Sequence, residues 1–66
     1  MTEDAIVWEG EVMFVTFTKR RYNVCVSGDT HAVIVGFTDD REKAIRCAER
    51  MDRYPANARR FAGMMA

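Results

Sequence analysis

The hydrophobic period of this chain changes once, at about Thr38, and that change constrains the fold more than any other feature. Before it, β-branched and aromatic residues alternate with period two; after it, apolar residues recur at helical spacing. Such a chain folds as a sheet followed by helices, the α+β class. Its 66 residues allow a single domain over 1–66 with room for one small core.

The run from Val12 to Thr18 reads as a strand, with Met13, Val15 and Phe17 on one face and Val12, Phe14, Thr16 and Thr18 on the other. In residues 22–27, Tyr22, Val24 and Val26 point one way and Asn23, Cys25 and Ser27 the other. A turn at Gly28-Asp29-Thr30 leads to residues 31–37, which are apolar on both faces and suit a central strand. Gly36 marks a bulge or a close contact there. Upstream, Ala5-Ile6-Val7-Trp8 is another β-like run that Glu9-Gly10 turns back. The expected sheet is a three- or four-stranded antiparallel meander, four being favoured. The alternative is one long strand bent at Gly10.

A main helix over 41–54 follows, packed on one face of the sheet. Asp39, with Glu42 three residues later, forms an acidic capping box. Ala44, Ile45, Cys47, Ala48 and Met51 form the apolar stripe. Glu42–Arg46 and Glu49–Arg53 are i,i+4 pairs worth about 0.2–0.5 kcal/mol each. Tyr54-Pro55 ends the helix, and Pro55 opens a short C-terminal helix in which Ala58, Phe61, Ala62 and Met65 share a face. The expected core joins Phe17, Val24, Val26, Val33 or Val35, Ile45 and Met51.

Composition enters through charge. Ten bases balance ten acids, yet residues 1–40 carry seven acids against three bases and residues 41–66 carry seven bases against three acids. The split serves either attraction between sheet and helix inside the fold or a surface of two signs.

Few residues suggest chemistry. Ser27, Asp29 and His31 gather at one turn, but a turn tip offers no pocket that excludes water, and turn hydrogen bonding accounts for them. The glycines are isolated, which removes phosphate-loop and dinucleotide fingerprints. Asp39-Asp40 reads as a helix start rather than a metal loop. One histidine and two cysteines 22 positions apart leave a zinc site short of ligands, so no metal, cofactor or catalytic group is expected. Cys25 and Cys47 are expected to be buried reduced thiols on opposite sides of the sheet, too far apart to bridge. Apolar runs are far short of the ~20 residues a membrane span needs. The acidic start (Glu3, Asp4) has no signal-peptide character, so the expected compartment is the cytoplasm.

Two surfaces remain. In a meander, Glu9, Glu11 and Asp29 meet at one end, with Asp52 and Tyr54 brought near. They form an acidic rim suited to a basic, nucleic-acid-handling protein. Lys19, Arg20 and Arg21, with Arg46, Arg50 and Arg53 on the helix and Arg59-Arg60 after it, suit phosphates instead. Against that stand a sequence pI of about 6.5 and the interrupting Glu42, Glu49 and Asp52. Phe14 belongs to an outer sheet face that is either an apolar partner or dimer surface, or is covered by a second helix or the N-terminal strand.

In general character the chain resembles the small accessory proteins of bacteriophages and mobile elements, anti-CRISPR inhibitors among them. It shares their compact meander plus helix, mixed charges and lack of a catalytic constellation. The resemblance rests on no motif and assigns no residue. It implies a non-enzymatic inhibitor in the cytoplasm of a bacterial host that binds an effector, such as a CRISPR complex subunit, and blocks it by surface occlusion. The partner-binding residues expected for that role are Glu9, Glu11 and Asp29. The alternative is a small nucleic-acid-binding regulator using the basic hairpin loop and helix face.

Overall fold

The computed structural model describes residues 5–28 and 32–65, the side chains of Met64 and Met65 excepted. Four strands, β1 (Ala5–Glu9), β2 (Met13–Thr18), β3 (Arg21–Ser27) and β4 (Ala32–Thr38), precede two helices, α1 (Arg41–Asp52) and α2 (Pro55–Met65). The strands pair antiparallel in the order β1-β2-β3-β4, so the run at residues 5–8 is a strand of its own and the meander has its four-stranded form. None of the described helices is long and apolar enough to cross a membrane.

Register decides which residues meet the helices. Met13 stands opposite Val26, Val15 opposite Val24 and Phe17 opposite Tyr22. Residues directly opposite share a face. On that face Ala44 and Ala48 of α1 and Ala58 and Ala62 of α2 join Val12, Met13, Val15, Val24 and Val26 in one buried cluster. Alanine at each contact lets the helix backbones approach the sheet closely, so both helices fit on the same side.

Several expectations are corrected. β4 is an edge strand bonded only to β3 and not a central one, and Ile34 and Phe37 on its outer face are exposed. A register shift there leaves Val35 as the extra residue beside Gly36, and nothing lies within 4 Å of where a Gly36 Cβ would stand; the glycine marks a bulge and not a close contact. Phe17 is 38% exposed rather than core: it lies at the hairpin end of β2, where its ring meets that of Tyr22 in a tilted contact at 4.7 Å. Val12 is buried in the core cluster rather than on the outer face; it precedes β2, so the strand's alternation does not extend to it. Val33, Val35, Ile45 and Met51 are half-buried against the core.

In α1 the N-cap is Asp40 rather than Asp39: its Oδ1 accepts the Lys43 N–H at 3.2 Å, so Lys43, not a glutamate, occupies the third position of the helix. The helix ends at Asp52, with Arg53 as its C-cap, not at Tyr54. Cys47 is exposed at the border of the apolar stripe, whereas Cys25 is buried on the outer sheet face; neither is in a disulfide. In α2, Ala58 and Ala62 face the core and Phe61 does not; the Met65 side chain lies outside the described set.

Candidate interaction surfaces

Three surfaces concentrate the charged and exposed apolar side chains: the loop end, the helix layer and the open sheet face. At the loop end, Gly10 N–H donates to the Met13 carbonyl at 2.8 Å, closing β1 onto β2. The next three backbone N–H groups converge on one carboxylate. Glu11 donates to Asp52 Oδ2 at 3.0 Å, while Val12 and Met13 donate to Oδ1 at 2.7 and 3.0 Å. The loop is thus an anion cradle filled by the chain's own α1. An acid in the last turn of a helix meets an unfavourable dipole, and the cradle offsets that. The N–H groups of Glu11 and Val12, with a smaller share from Met13, hold the Asp52 carboxyl below its usual range against the opposing effect of burial. Gly10 is required here: a Cβ would overlap Asp52 Oδ2 and stand 2.6 Å from Trp8 Cη2.

Glu9 and Glu11 are exposed at this end, as the meander predicts. Ser27 N–H donates to the Val12 carbonyl at 2.8 Å, so β3 also ends here. Asp29 lies outside the described residues, as do Thr30 and His31. Asp52 is present but spends its carboxylate on backbone donors, which leaves Glu9 and Glu11 as the outward acids. Sequence reasoning brought Asp52 to this end and missed the cradle. The available signal was an acid standing where the helix dipole disfavours it.

The basic residues divide between surfaces. Lys19 and Arg20 form a two-residue hairpin turn between Thr18 and Arg21, with φ of 53° and 64°. Both central residues at positive φ define a type I′ turn, which normally takes Asn-Gly. Two long cations there accept backbone strain of about 1–3 kcal/mol each. Arg21 does not join them at the tip; its guanidinium carbon stands 4.4 Å from the Phe37 ring centroid on the open sheet face.

On α1 the buried positions are Ala44 and Ala48. At 100° per residue the opposite side carries Lys43, Arg46, Arg50 and Arg53, all exposed, in a line about 15 Å long. Arg59 and Arg60 are exposed on α2. Among the described residues no ion pair within 4.0 Å engages any of these bases, so neither the i,i+4 pairs nor the sheet–helix attraction takes the form of contacts. Glu42 and Glu49 flank the line on one side.

The open sheet face carries Ile6, Ile34 and Phe37, which are 57%, 50% and 63% exposed, with Phe14 half-buried. Its centre is polar. Asn23 Nδ2 donates to Thr16 Oγ1 at 3.4 Å, and Cys25 Sγ donates to the Asn23 carbonyl at 3.7 Å. Asn23 is 1% exposed, yet its Oδ1 and the buried Arg21 Nε have no hydrogen-bond partner.

Among the described residues no group of three His, Cys, Asp or Glu side chains is placed to hold a metal ion. Asp29 and His31 lie outside the described residues, so the Ser27 constellation does too. A shallow depression of 220 Å³ between β4 and α1, lined by Val24, Gly36, Phe37, Thr38, Lys43, Ala44 and Cys47, holds one ionisable group of note, Lys43. Neither a family model, a curated relative nor a solved structure matches the chain.

Proposed function

We propose that this chain is a non-enzymatic interaction protein whose working surface is the helix layer, and that the ligand it takes there is the phosphate backbone of a nucleic acid. One observation carries the reading. The line Lys43-Arg46-Arg50-Arg53 is exposed, runs down one side of a rigid helix, and is engaged by no ion pair among the described residues. Asp52, one of three acids in this half of the chain, is turned into the loop cradle and takes no part in the outer face. Net neutrality is therefore a property of the whole chain and not of this surface. Bases spaced about 4.5–6 Å apart along a helix match a polyanion better than a small acid. Lys19 and Arg20 lie at the end where α1 begins, beside the exposed Asp39 and Asp40 that precede it, and Arg21 turns to the other side of the sheet.

The test is retention on heparin and on single-stranded DNA at low salt. The wild type is expected to bind and to elute with modest salt, and Arg46→Glu/Arg50→Glu is expected to flow through. Equal retention of both proteins would refute the assignment.

A second reading, an inhibitor that occludes a basic nucleic-acid-handling effector as the resemblance to anti-CRISPR proteins implies, is favoured by Glu9 and Glu11. Both are exposed, and the cradle fixes the loop that carries them. Complementary potential would bring such a partner to this end. Capture of a host effector that is lost in Glu9→Lys/Glu11→Lys and retained in Arg46→Glu/Arg50→Glu would establish it over the first reading.

A further inference from the structure

We infer that the nucleic acid held by the helix layer is a single strand, and that its unpaired bases stack on Tyr54 and Phe61. The inference rests on the phosphate reading of α1 and adds what that reading leaves open, the form of nucleic acid the layer takes.

The exposed aromatic side chains are of two kinds. Phe17 meets the Tyr22 ring at 4.7 Å, and Phe37 lies under the Arg21 guanidinium at 4.4 Å, so each has a partner inside the fold. Tyr54 and Phe61 are 61% and 42% exposed, and among the described residues neither ring meets another ring or a cation. One exposed ring is ordinary on a protein surface. These two share a flank of the same helix. Tyr54 precedes α2, and its carbonyl accepts the Ala58 N–H at 3.0 Å, so the helical ladder reaches back to it. Phe61 follows seven residues later, about two turns and 10.5 Å along the axis and within about 20° of the same direction. At about 100° per residue it lies between the buried Ala58 and the outward Arg60.

Charge selects the occupant. Residues 53–65 carry Arg53, Arg59 and Arg60, all exposed, and no acid. Tyr54 follows Arg53, Phe61 follows Arg60, and Arg53 closes the line that begins at Lys43. Asp52, the acid before them, is withdrawn into the loop cradle. Glu9 and Glu11 are exposed at the end where α2 begins, so the strand is held from Tyr54 toward Phe61 and not carried past the loop. A basic track with aromatic rings beside it suits a single strand, in which every base has a face free to stack. A duplex keeps those faces inside; it would use the arginines and leave both rings idle.

Fluorescence anisotropy of the full chain with a single-stranded 30-mer, alone and annealed to its complement, tests this at about 50 mM salt. Annealing is expected to weaken binding at least about tenfold, since both stacking contacts are lost. Tyr54→Leu and Phe61→Leu keep apolar bulk and remove the ring; each should lower single-strand affinity at least about fivefold. Their slope of log K against log salt should stay that of wild type, because no phosphate contact is lost. Tyr54→Phe and Phe61→Tyr should bind as wild type does. Phe61→Trp gives a readout that needs no loss of binding: its added emission should be quenched by the single strand and not by the duplex. Equal affinity for the two forms, or wild-type affinity in both leucine variants, would overturn the stacking. Binding lost in Arg46→Glu/Arg50→Glu would then still uphold the phosphate reading, whereas no wild-type binding to either form would overturn both.

Discussion

Replacing Asp52 by alanine should destabilise this protein more than any other surface-accessible substitution. The carboxylate accepts three backbone N–H groups from residues 39 to 41 positions away in sequence, and it is the polar tie between α1 and the β1–β2 loop. Hydrogen bonds to a charged group contribute about 1.5–3 kcal/mol each when desolvated. The Glu11 bond is exposed and counts for little; the Val12 and Met13 bonds are part-buried and are discounted to about 1–1.5 kcal/mol each. The expected loss is therefore about 2–3 kcal/mol, against a total of only about 3–5 for a domain this small. Thermal denaturation followed by circular dichroism should show Tm lower by roughly 10–20 °C, at about 4–8 °C per kcal/mol. Asp52→Asn keeps one acceptor oxygen and should lose about half as much. The folded pKa is depressed, so the stability owed to the charge is present above the unfolded value near 3.9 and is lost as pH falls through the folded value. The gap between wild type and Asp52→Asn should therefore close on acidification below about pH 4. A Tm within about 3 °C of wild type for Asp52→Ala would refute the reasoning, because three such bonds cannot be lost for so little.

Gly10→Ala should cost about 1–3 kcal/mol by displacing Asp52 and Trp8, and less in the Asp52→Ala background; additive losses in a double-mutant cycle would contradict the shared contact. Met13→Ala, at a 1% exposed site, should cost about 2–5 kcal/mol in urea denaturation, whereas the half-open Phe17→Ala should cost under about 1.5. Lys19→Asn/Arg20→Gly should raise Tm by relieving two positive-φ residues, and an unchanged or lower Tm would argue against the type I′ turn. Under native conditions a thiol reagent should modify Cys47 quickly and Cys25 only on unfolding; equal rates would contradict their placement on the surface and in the sheet.

The elements were legible because each rests on local pattern. Alternation in residues 12–18 and 22–27, apolar spacing in α1 and Pro55 at the start of α2 are set by neighbours a few residues apart. What escaped was set by distant ones. Residues 31–37 read as a central strand because they are apolar on both sides; that same pattern describes an edge strand whose second face is exposed. Phe17 carries the largest side chain on the inner face of β2, and its exposure depends on where the alanines of α1 and α2 land. Asp39 and Asp40 are equally good caps by composition, and the choice fell to Asp40, whose N–H bonds to Thr38 Oγ1 at 3.1 Å. Of the candidate surfaces, the gathering of Glu9 and Glu11 followed from topology. The withdrawal of Asp52 and the departure of Arg21 to Phe37 did not, because both depend on side-chain geometry across the fold.

The central claim is that the α1 line meets phosphates, and its most direct test is the salt dependence of binding to a fluorescent single-stranded 30-mer, read by anisotropy. About four bases engaged give a slope of log K against log salt near −3, at about −0.7 per phosphate neutralised, so affinity should fall roughly 50-fold between 50 and 200 mM salt. Arg46→Glu/Arg50→Glu should abolish binding while leaving Tm unchanged. Absence of wild-type binding at 50 mM salt, or wild-type affinity and slope in that variant, would contradict the account.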